Sequence, residues 1–282
     1  MSCAWVSFLT APMYLPGIVV LLSSLIRTRT AYPLVLGYTD GISDDAIAFL
    51  ASLGGKHIVF KKIQGFYPTQ DTHGHNFNSR FRDTWTKLLA FKMDDYETLV
   101  LLDADMIVRK NIDHLFSLTL PPNTIAAAHA CTCNPCKISS YPAEWIPENC
   151  AHTYARGTVP ISQERISEKP TFGLLNSGLV VLHPSAEVFK DMRDMVNTHP
   201  LVPTFRFPDQ DLLALYFRGR WLPLGYQYNA LKTLRSCHAN MWSDDAVYVV
   251  HYILDAKPWL DEKSGASATD KTTHSWWWNE FH

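Results

Sequence analysis

The 282-residue chain has little imbalance of charge, no run of basic residues and no long uninterrupted apolar stretch. Its 25 Lys and Arg stand against 27 Asp and Glu, a formal net charge of −2, which argues against nucleic acid or an acidic membrane surface as a partner. The longest apolar stretch, Gly17 to Ile26, is interrupted by Ser23 and Ser24 and is too short to span a bilayer. Ala4 to Thr10 read as a first strand rather than as a charged leader with a cleavage site. These absences lead to the expectation of a soluble, cytoplasmic protein without a membrane partner. Disorder is excluded too, because 47% hydrophobic and 18% charged residues are ordinary globular values, and the length suits one extended α/β domain.

What is present centres on Leu99 to Val108. Leucine and valine read as a strand buried on both faces that ends in Asp103-Ala104-Asp105. An unpaired buried charge costs several kcal/mol, so such carboxylates must be paired, hydrogen-bonded or metal-bound. At i and i+2 on an extended backbone both point the same way and could face one Mg²⁺ or Mn²⁺. The alternative is a turn in which both merely accept backbone N–H bonds.

Upstream, strand, loop and helix alternate. Trp5 to Thr10, Tyr32 to Tyr38 and Lys56 to Ile63 read as strands, Ile18 to Arg27 and Ala46 to Leu53 as helices. This pattern predicts a Rossmann-like sheet with helices on both faces, in a single domain over 1–260. Gln64 to Asn78 reads as a loop, and Arg80 to Phe91 as an amphipathic helix whose Arg80, Arg82 and Lys87 could meet an anion. Ile125 to Ala130 is another strand. Residues 131–170 lose periodicity and read as an irregular insertion, a lid or an acceptor-site wall. Within it, Cys131, Cys133, Cys136 and Cys150 admit a zinc site, but the spacing is not that of a standard zinc ribbon and buried or locally paired thiols are preferred.

Asn176-Ser177-Gly178, ahead of a hydrophobic strand, offers polar side chains to a ligand or simply makes a tight turn. Ser185 to Asn197 predicts a capped helix, and Phe207 to Asp211 opens another with Asp209 at its N-terminus, where a plain cap is the simpler role. Trp221 to Asn229 reads as an aromatic turn, and Ala246 to Tyr252 as a strand carrying His251. Asp and His ligands together favour Mn²⁺ over Mg²⁺, because imidazole suits the softer ion. Residues 261–282, with Trp276-Trp277-Trp278, are expected to pack back on the domain, with a partner surface as the alternative.

In order along the chain, Leu9-Thr10, Tyr14 with Gly17, Thr86-Lys87-Leu88, Leu102-Asp103-Ala104-Asp105, Asn111 to Phe116, Asn176-Ser177-Gly178, Asp209-Gln210-Asp211, Tyr228-Asn229, Val249 to Tyr252 and Lys257-Pro258-Trp259 form one series. This series resembles glycosyltransferase family 8, the group of glycogenin and plant galactinol synthase, from about Trp5 to Trp259. The resemblance implies a GT-A fold, a mixed sheet, and retaining transfer of a hexose from a UDP-sugar with Mn²⁺ (or Mg²⁺). It assigns Asp103, Asp105 and His251 to the metal, and Lys257 to the diphosphate. Leu9, Thr10 and Tyr14 fall near the nucleotide, with Arg82, Ala104 and Ser177 added to the donor-binding set. Lys87, Asn176, Asp209 and Gln210 fall around the donor sugar, with Asp209, Gln210 and Lys87 as the catalytic candidates.

Ile253 to Ala256 lacks the glycine that many relatives carry at the backbone contact to the diphosphate. Ala230 to Asp245 has no tyrosine, so glycogenin-type self-glucosylation is not expected. Ala31 to Val35 and the cysteine-bearing insertion look closer to the galactinol synthase branch, which implies UDP-galactose and a small polyol such as myo-inositol. The alternatives are glycogenin-like priming of a protein or polysaccharide, and a catalytically silent UDP-sugar-binding scaffold. A homodimer is left open.

Overall fold

The structure is a computed structural model and describes residues 2–69, 79–260 and 270–282. Parts of the expected 64–78 loop and of the tail therefore lie outside the described residues. In chain order the elements are β1 (Cys3–Leu9), α1 (Leu15–Arg27), β2 (Leu34–Tyr38), α2 (Asp44–Gly54), β3 (Ile58–Lys62), β4 (Thr98–Leu102), β5 (Met106–Val108) and β6 (Ile125–His129). They continue with α3 (Ala151–Tyr154), β7 (Leu175–Leu182), α4 (Ala186–Thr198), α5 (Pro208–Tyr216), β8 (Trp221–Leu224), β9 (Ala230–Leu231), α6 (Leu234–Cys237), β10 (Val249–His251) and α7 (Lys271–Phe281).

Seven strands form one mixed sheet in the order β3-β2-β1-β4-β7-β6-β8, and β5-β10-β9 form a second, small sheet. β1 pairs in parallel with both β2 and β4, whereas β7 runs antiparallel to β4 and β6. The large sheet is buried on both faces, and the period of two sorts β4 accordingly. Leu99 and Leu101 join a core with α4, α5 and Trp85, while Val100 and Leu102 join one with α1 and α2. Helix caps follow the sequence, since Ser43 accepts the Ala46 N–H and Ser185 the Val188 N–H.

The two serines that interrupt the apolar run are docking points of α1. Ser24 Oγ accepts the Val108 N–H at 3.0 Å, tying β5 to the helix, and Ser23 Oγ donates to Glu280 of α7 at 3.3 Å. Arg27 joins both contacts, donating to the Val108 carbonyl at 2.9 Å and pairing with Glu280 at 2.5 Å. The tryptophan run is the packing face of α7. Trp277 is 1% exposed and belongs to the core of the small sheet, and Arg109 lies 3.7 Å from the centroid of Trp276.

Four elements differ from the sequence reading. The acidic strand is two strands: β4 ends at Leu102, residues 103–105 turn, and β5 leaves for the small sheet, where Met106 pairs with His251. Ser79–Lys92 winds as a 3₁₀ helix rather than an α-helix, with the Thr84 hydroxyl bonded back to the carbonyl of Phe81 three residues before it. Asn176-Ser177-Gly178 is no turn but lies inside β7, opposite an irregularity between Ala127 and Ala128. Trp221–Leu224 is an edge strand parallel to β6, a place where Pro223, lacking an N–H, is tolerated.

Removing a buried aromatic ring creates a cavity, so Trp277→Ala should cost about 3–5 kcal/mol in equilibrium urea unfolding. A loss below about 1 kcal/mol would show that α7 contributes no core packing.

Candidate functional site

At β1 the strand order reverses, with β2 on one side and β4 on the other. Ligands of open α/β sheets bind outside the carboxyl ends of strands at such a point. A cleft of about 410 Å³ opens there, lined by Thr10, Tyr14, Asp103, Asp105, Asp209 and His251 among others. The Asp103 N–H donates to the Gly178 carbonyl at 2.9 Å and the Tyr252 N–H to the Asp105 carbonyl at 2.9 Å, so the acidic turn is fastened to both sheets. Gly17 lets α1 approach this turn, since a Cβ there would overlap the Ala104 carbonyl.

Ligand atoms of Asp103, Asp105 and His251 lie within 4.8 Å of one another. His251 Nε2 is 3.6 Å from Asp103 Oδ2 and 3.3 Å from Asp105 Oδ1. The backbone determines which ring nitrogen faces the acids. The Gly178 N–H donates to Asn176 Oδ1 at 3.0 Å, so that atom is an acceptor and Asn229 must offer it Nδ2–H, at 2.7 Å. Asn229 Oδ1 then faces His251 Nδ1 at 2.9 Å and accepts its N–H, so Nε2 is the ring nitrogen presented to the carboxylates. An imidazole nitrogen beside two carboxylates fits a divalent cation of the Mn²⁺ or Mg²⁺ kind, to which Nε2 would offer its lone pair. Gly178 belongs to the same device, because a Cβ there would overlap the His251 ring.

Two lysines flank the acids. Lys87 Nζ bridges Asp103 Oδ1 at 2.7 Å and Asp209 Oδ2 at 2.9 Å. Lys257 Nζ pairs with Asp105 and donates to the Tyr252 carbonyl at 2.6 Å. Burial alone would depress the Lys87 ammonium, but Asp103 and Asp209 outweigh it and hold its pKa above the ordinary value. Burial pushes the Asp103 carboxyl up despite Lys87 and His251. At Asp105 burial is overcome by Lys257 and His251, which hold that carboxyl below its ordinary range. At Asp209 burial is overcome by Lys87, with hydrogen bonds from Lys87, Ser177 and Thr84, so the group is an anion at neutral pH.

Asp209 does not cap α5, whose N-cap position, Phe207, has no side-chain cap. Asp211 reaches back from the first turn to accept the N–H groups of Arg206 at 2.8 Å and Phe207 at 3.0 Å, and Asp209 meets Lys87 and Ser177, the latter at 2.7 Å.

Of the residues singled out from sequence, Lys87, Ala104, Asn176, Ser177, Gln210 and Lys257 also line this cleft. Leu9 and Arg82 do not. Leu9 is wholly buried at the end of β1, and Arg82 is exposed with its guanidinium 5.1 Å from the Tyr67 centroid. Leu254 stands at φ 70°, a left-handed conformation that suits glycine, in the segment where the family resemblance leads to the expectation of one. Asn229 belongs to the Tyr228-Asn229 motif, but the sequence does not mark it as a site residue, because its role depends on a contact with His251, 22 residues away. The sequence also leaves unnamed the aromatic wall of Tyr141, Trp145 and Phe207, in which Trp145 and Phe207 stack at 5.5 Å.

Because Asn229 selects the ring tautomer, Asn229→Leu should weaken Mn²⁺ binding about 10- to 100-fold, as loss of a partner behind a metal ligand commonly does. Titration followed by electron paramagnetic resonance measures it, and unchanged affinity would show that the ring is held without Asn229.

The model of the family described as Glycosyl transferase family 8 matches residues 5–263. Galactinol synthase 3 of Arabidopsis thaliana is 30% identical over 258 residues, covering 91% of this chain and 73% of that protein. Galactinol synthase 1 of Solanum lycopersicum is 28% identical over 265 residues, covering 92% and 74%. Among solved structures, galactosyltransferase LgtC in complex with donor and acceptor sugar analogs superposes with a TM-score of 0.63 at 18% identity, covering 96% of this chain and 94% of that one. The glycosyltransferase GlyE of Streptococcus pneumoniae TIGR4 gives 0.66 at 18% identity, covering 99% of this chain and 61% of that one. The architecture is that of the GT-A glycosyltransferases. With a family model matched over most of its length, the chain belongs to glycosyltransferase family 8.

Proposed function

We propose that the protein is a retaining hexosyltransferase that moves a hexose from a UDP-sugar, UDP-galactose before UDP-glucose, to a small polyol or glycan acceptor. The observation that carries this reading is the convergence, in one cleft, of Asp103, Asp105 and His251 with Lys257, and of Asp209 held by Lys87 a short distance away. The similarity to galactinol synthases supports galactose and a polyol.

Asp103, Asp105 and His251 would hold Mn²⁺, which when bound supplies Lewis-acid stabilisation to the diphosphate. The other roles fall to the chain itself. Lys257, buried beside Asp105, presents an ammonium to charge growing on the departing UDP. Lys87 keeps Asp209 ionised and fixes its orientation, and Ser177 restrains the same carboxylate from the β7 side. Retention requires either a covalent glycosyl intermediate or attack by the acceptor on the face that UDP leaves. Asp209 serves as nucleophile in the first route and as stabiliser of the oxocarbenium-like state in the second. Tyr141, Trp145 and Phe207 offer ring faces to the apolar side of an acceptor, and the first two come from the irregular insertion.

A screen of UDP-galactose, UDP-glucose and UDP-N-acetylglucosamine with Mn²⁺, read by UDP release, should show turnover with a hexose donor that rises when myo-inositol is added. Absence of calorimetric UDP binding in the presence of Mn²⁺ would overturn the reading, and binding without transfer or hydrolysis would mark a silent scaffold. Asp209→Asn should lower turnover by about 10²-fold or more while leaving UDP affinity within about twofold, since the carboxylate acts on the sugar and not on the nucleotide. Equal loss of both would argue against that role.

A further inference from the structure

A second group of metal-type ligands lies outside the acidic turn. Cys131, Cys133, Cys150 and His238 each bring one ligand atom into a cluster whose members lie within 4.8 Å of one another. The sequence sets Cys136 beside the first three, in a zinc reading that ranks below buried or locally paired thiols. The structure leaves Cys136 exposed and puts His238, the residue just after α6, in its place.

His238 Nε2 is 3.1 Å from the Cys133 sulfur, 3.6 Å from that of Cys150 and 3.8 Å from that of Cys131. An imidazole nitrogen carries one lone pair or one proton, so three thiols around a single nitrogen exceed what hydrogen bonding can use. Tetrahedral coordination needs this arrangement. With Zn–S near 2.3 Å and Zn–N near 2.0 Å, ligand nitrogen and sulfur stand about 3.5 Å apart.

The local chain is built for it. Cys131 and Cys133 flank Thr132, which is fully buried and bonded to the Thr171 hydroxyl at 2.8 Å. The threonine turns to Thr171 while the sulfurs on either side of it both approach His238 Nε2. Cys150 is fixed just ahead of α3 and is itself buried.

We propose that Cys131, Cys133, Cys150 and His238 form a structural zinc site. Three thiolates and an imidazole complete a four-coordinate shell with no open position, so the site is structural rather than catalytic, and thiolates select zinc over the harder ions suited to the acidic turn. It joins both ends of the segment 133–150 to the chain after β9. That segment carries Ile138, Tyr141 and Trp145 into the cleft, so the metal fixes the acceptor wall against the donor side. The assignment does not depend on the transferase reading, because its ligands and its tests are separate from Asp103, Asp105 and His251.

The full chain, purified under reducing conditions without chelator, should contain about one zinc per molecule by mass spectrometry of metals, falling below about 0.1 in Cys150→Ser and in His238→Ala and staying near one in Cys136→Ser. Cobalt exchanged into wild type should give the visible bands of a tetrahedral ion and thiolate charge-transfer absorption, a readout that survives if the variants fail to fold. No zinc and no cobalt spectrum, a disulfide among the three cysteines, or zinc lost with Cys136 and kept without Cys150 would each overturn the proposal.

Discussion

Two buried carboxylates and one half-buried one, brought to one sheet rim, are the constraint on which this structure turns. Asp103, Asp105 and Asp209 would repel one another and unfold the rim unless cations met them, and removing one partner of such a buried pair is commonly worth several kcal/mol. Lys87 bridges two of them and Lys257 holds the third, with His251 facing both residues of the turn. Lys87 comes from the 3₁₀ segment, Asp209 from α5, His251 from β10 and Lys257 from the stretch after it. The charge balance therefore links the two sheets and the helical layer at one place, and that place is the cleft.

The small sheet exists to serve this junction. β5 continues directly from the acidic turn, and pairing with β10 brings His251 opposite Met106. The helix α1 closes the arrangement, since Ser24 receives the N–H of Val108 and Gly17 lies against Ala104. A hydroxyl in an otherwise apolar helix and a missing side chain near its start thus position the metal-type ligands. Behind His251, an amide relay from Gly178 through Asn176 and Asn229 converts a backbone hydrogen bond into the choice of ring tautomer.

The irregular insertion has a different physics. Its apolar core is small, with Ala151 and Ile161 buried against Phe172 just beyond it, yet it supplies one wall of the cleft. A segment with so little to bury needs another source of rigidity, and clustered thiol and imidazole ligands are a source that small irregular units use. This wall of the cleft thus has a source of stiffness separate from the sheet beneath it.

The sequence by itself determined the alternation of strands and helices, the burial of β4, the acidic pair at its end, and the ordered motifs that identify the family. Each of these is written in periods of two or in residues close along the chain. Tertiary structure decided the rest. It split the acidic strand between two sheets, placed Asn176-Ser177-Gly178 inside β7, and turned Asp209 from the helix start to Lys87 and Ser177. It also replaced Cys136 by His238 in the thiol cluster, 88 positions beyond Cys150. Local sequence cannot express such choices, because which carboxylate, amide or thiol acts depends on the partner that packing brings to it from a distant segment. Ser24 shows both halves of this: its polarity interrupts the apolar run, but only the arrival of Val108 gives the hydroxyl its use.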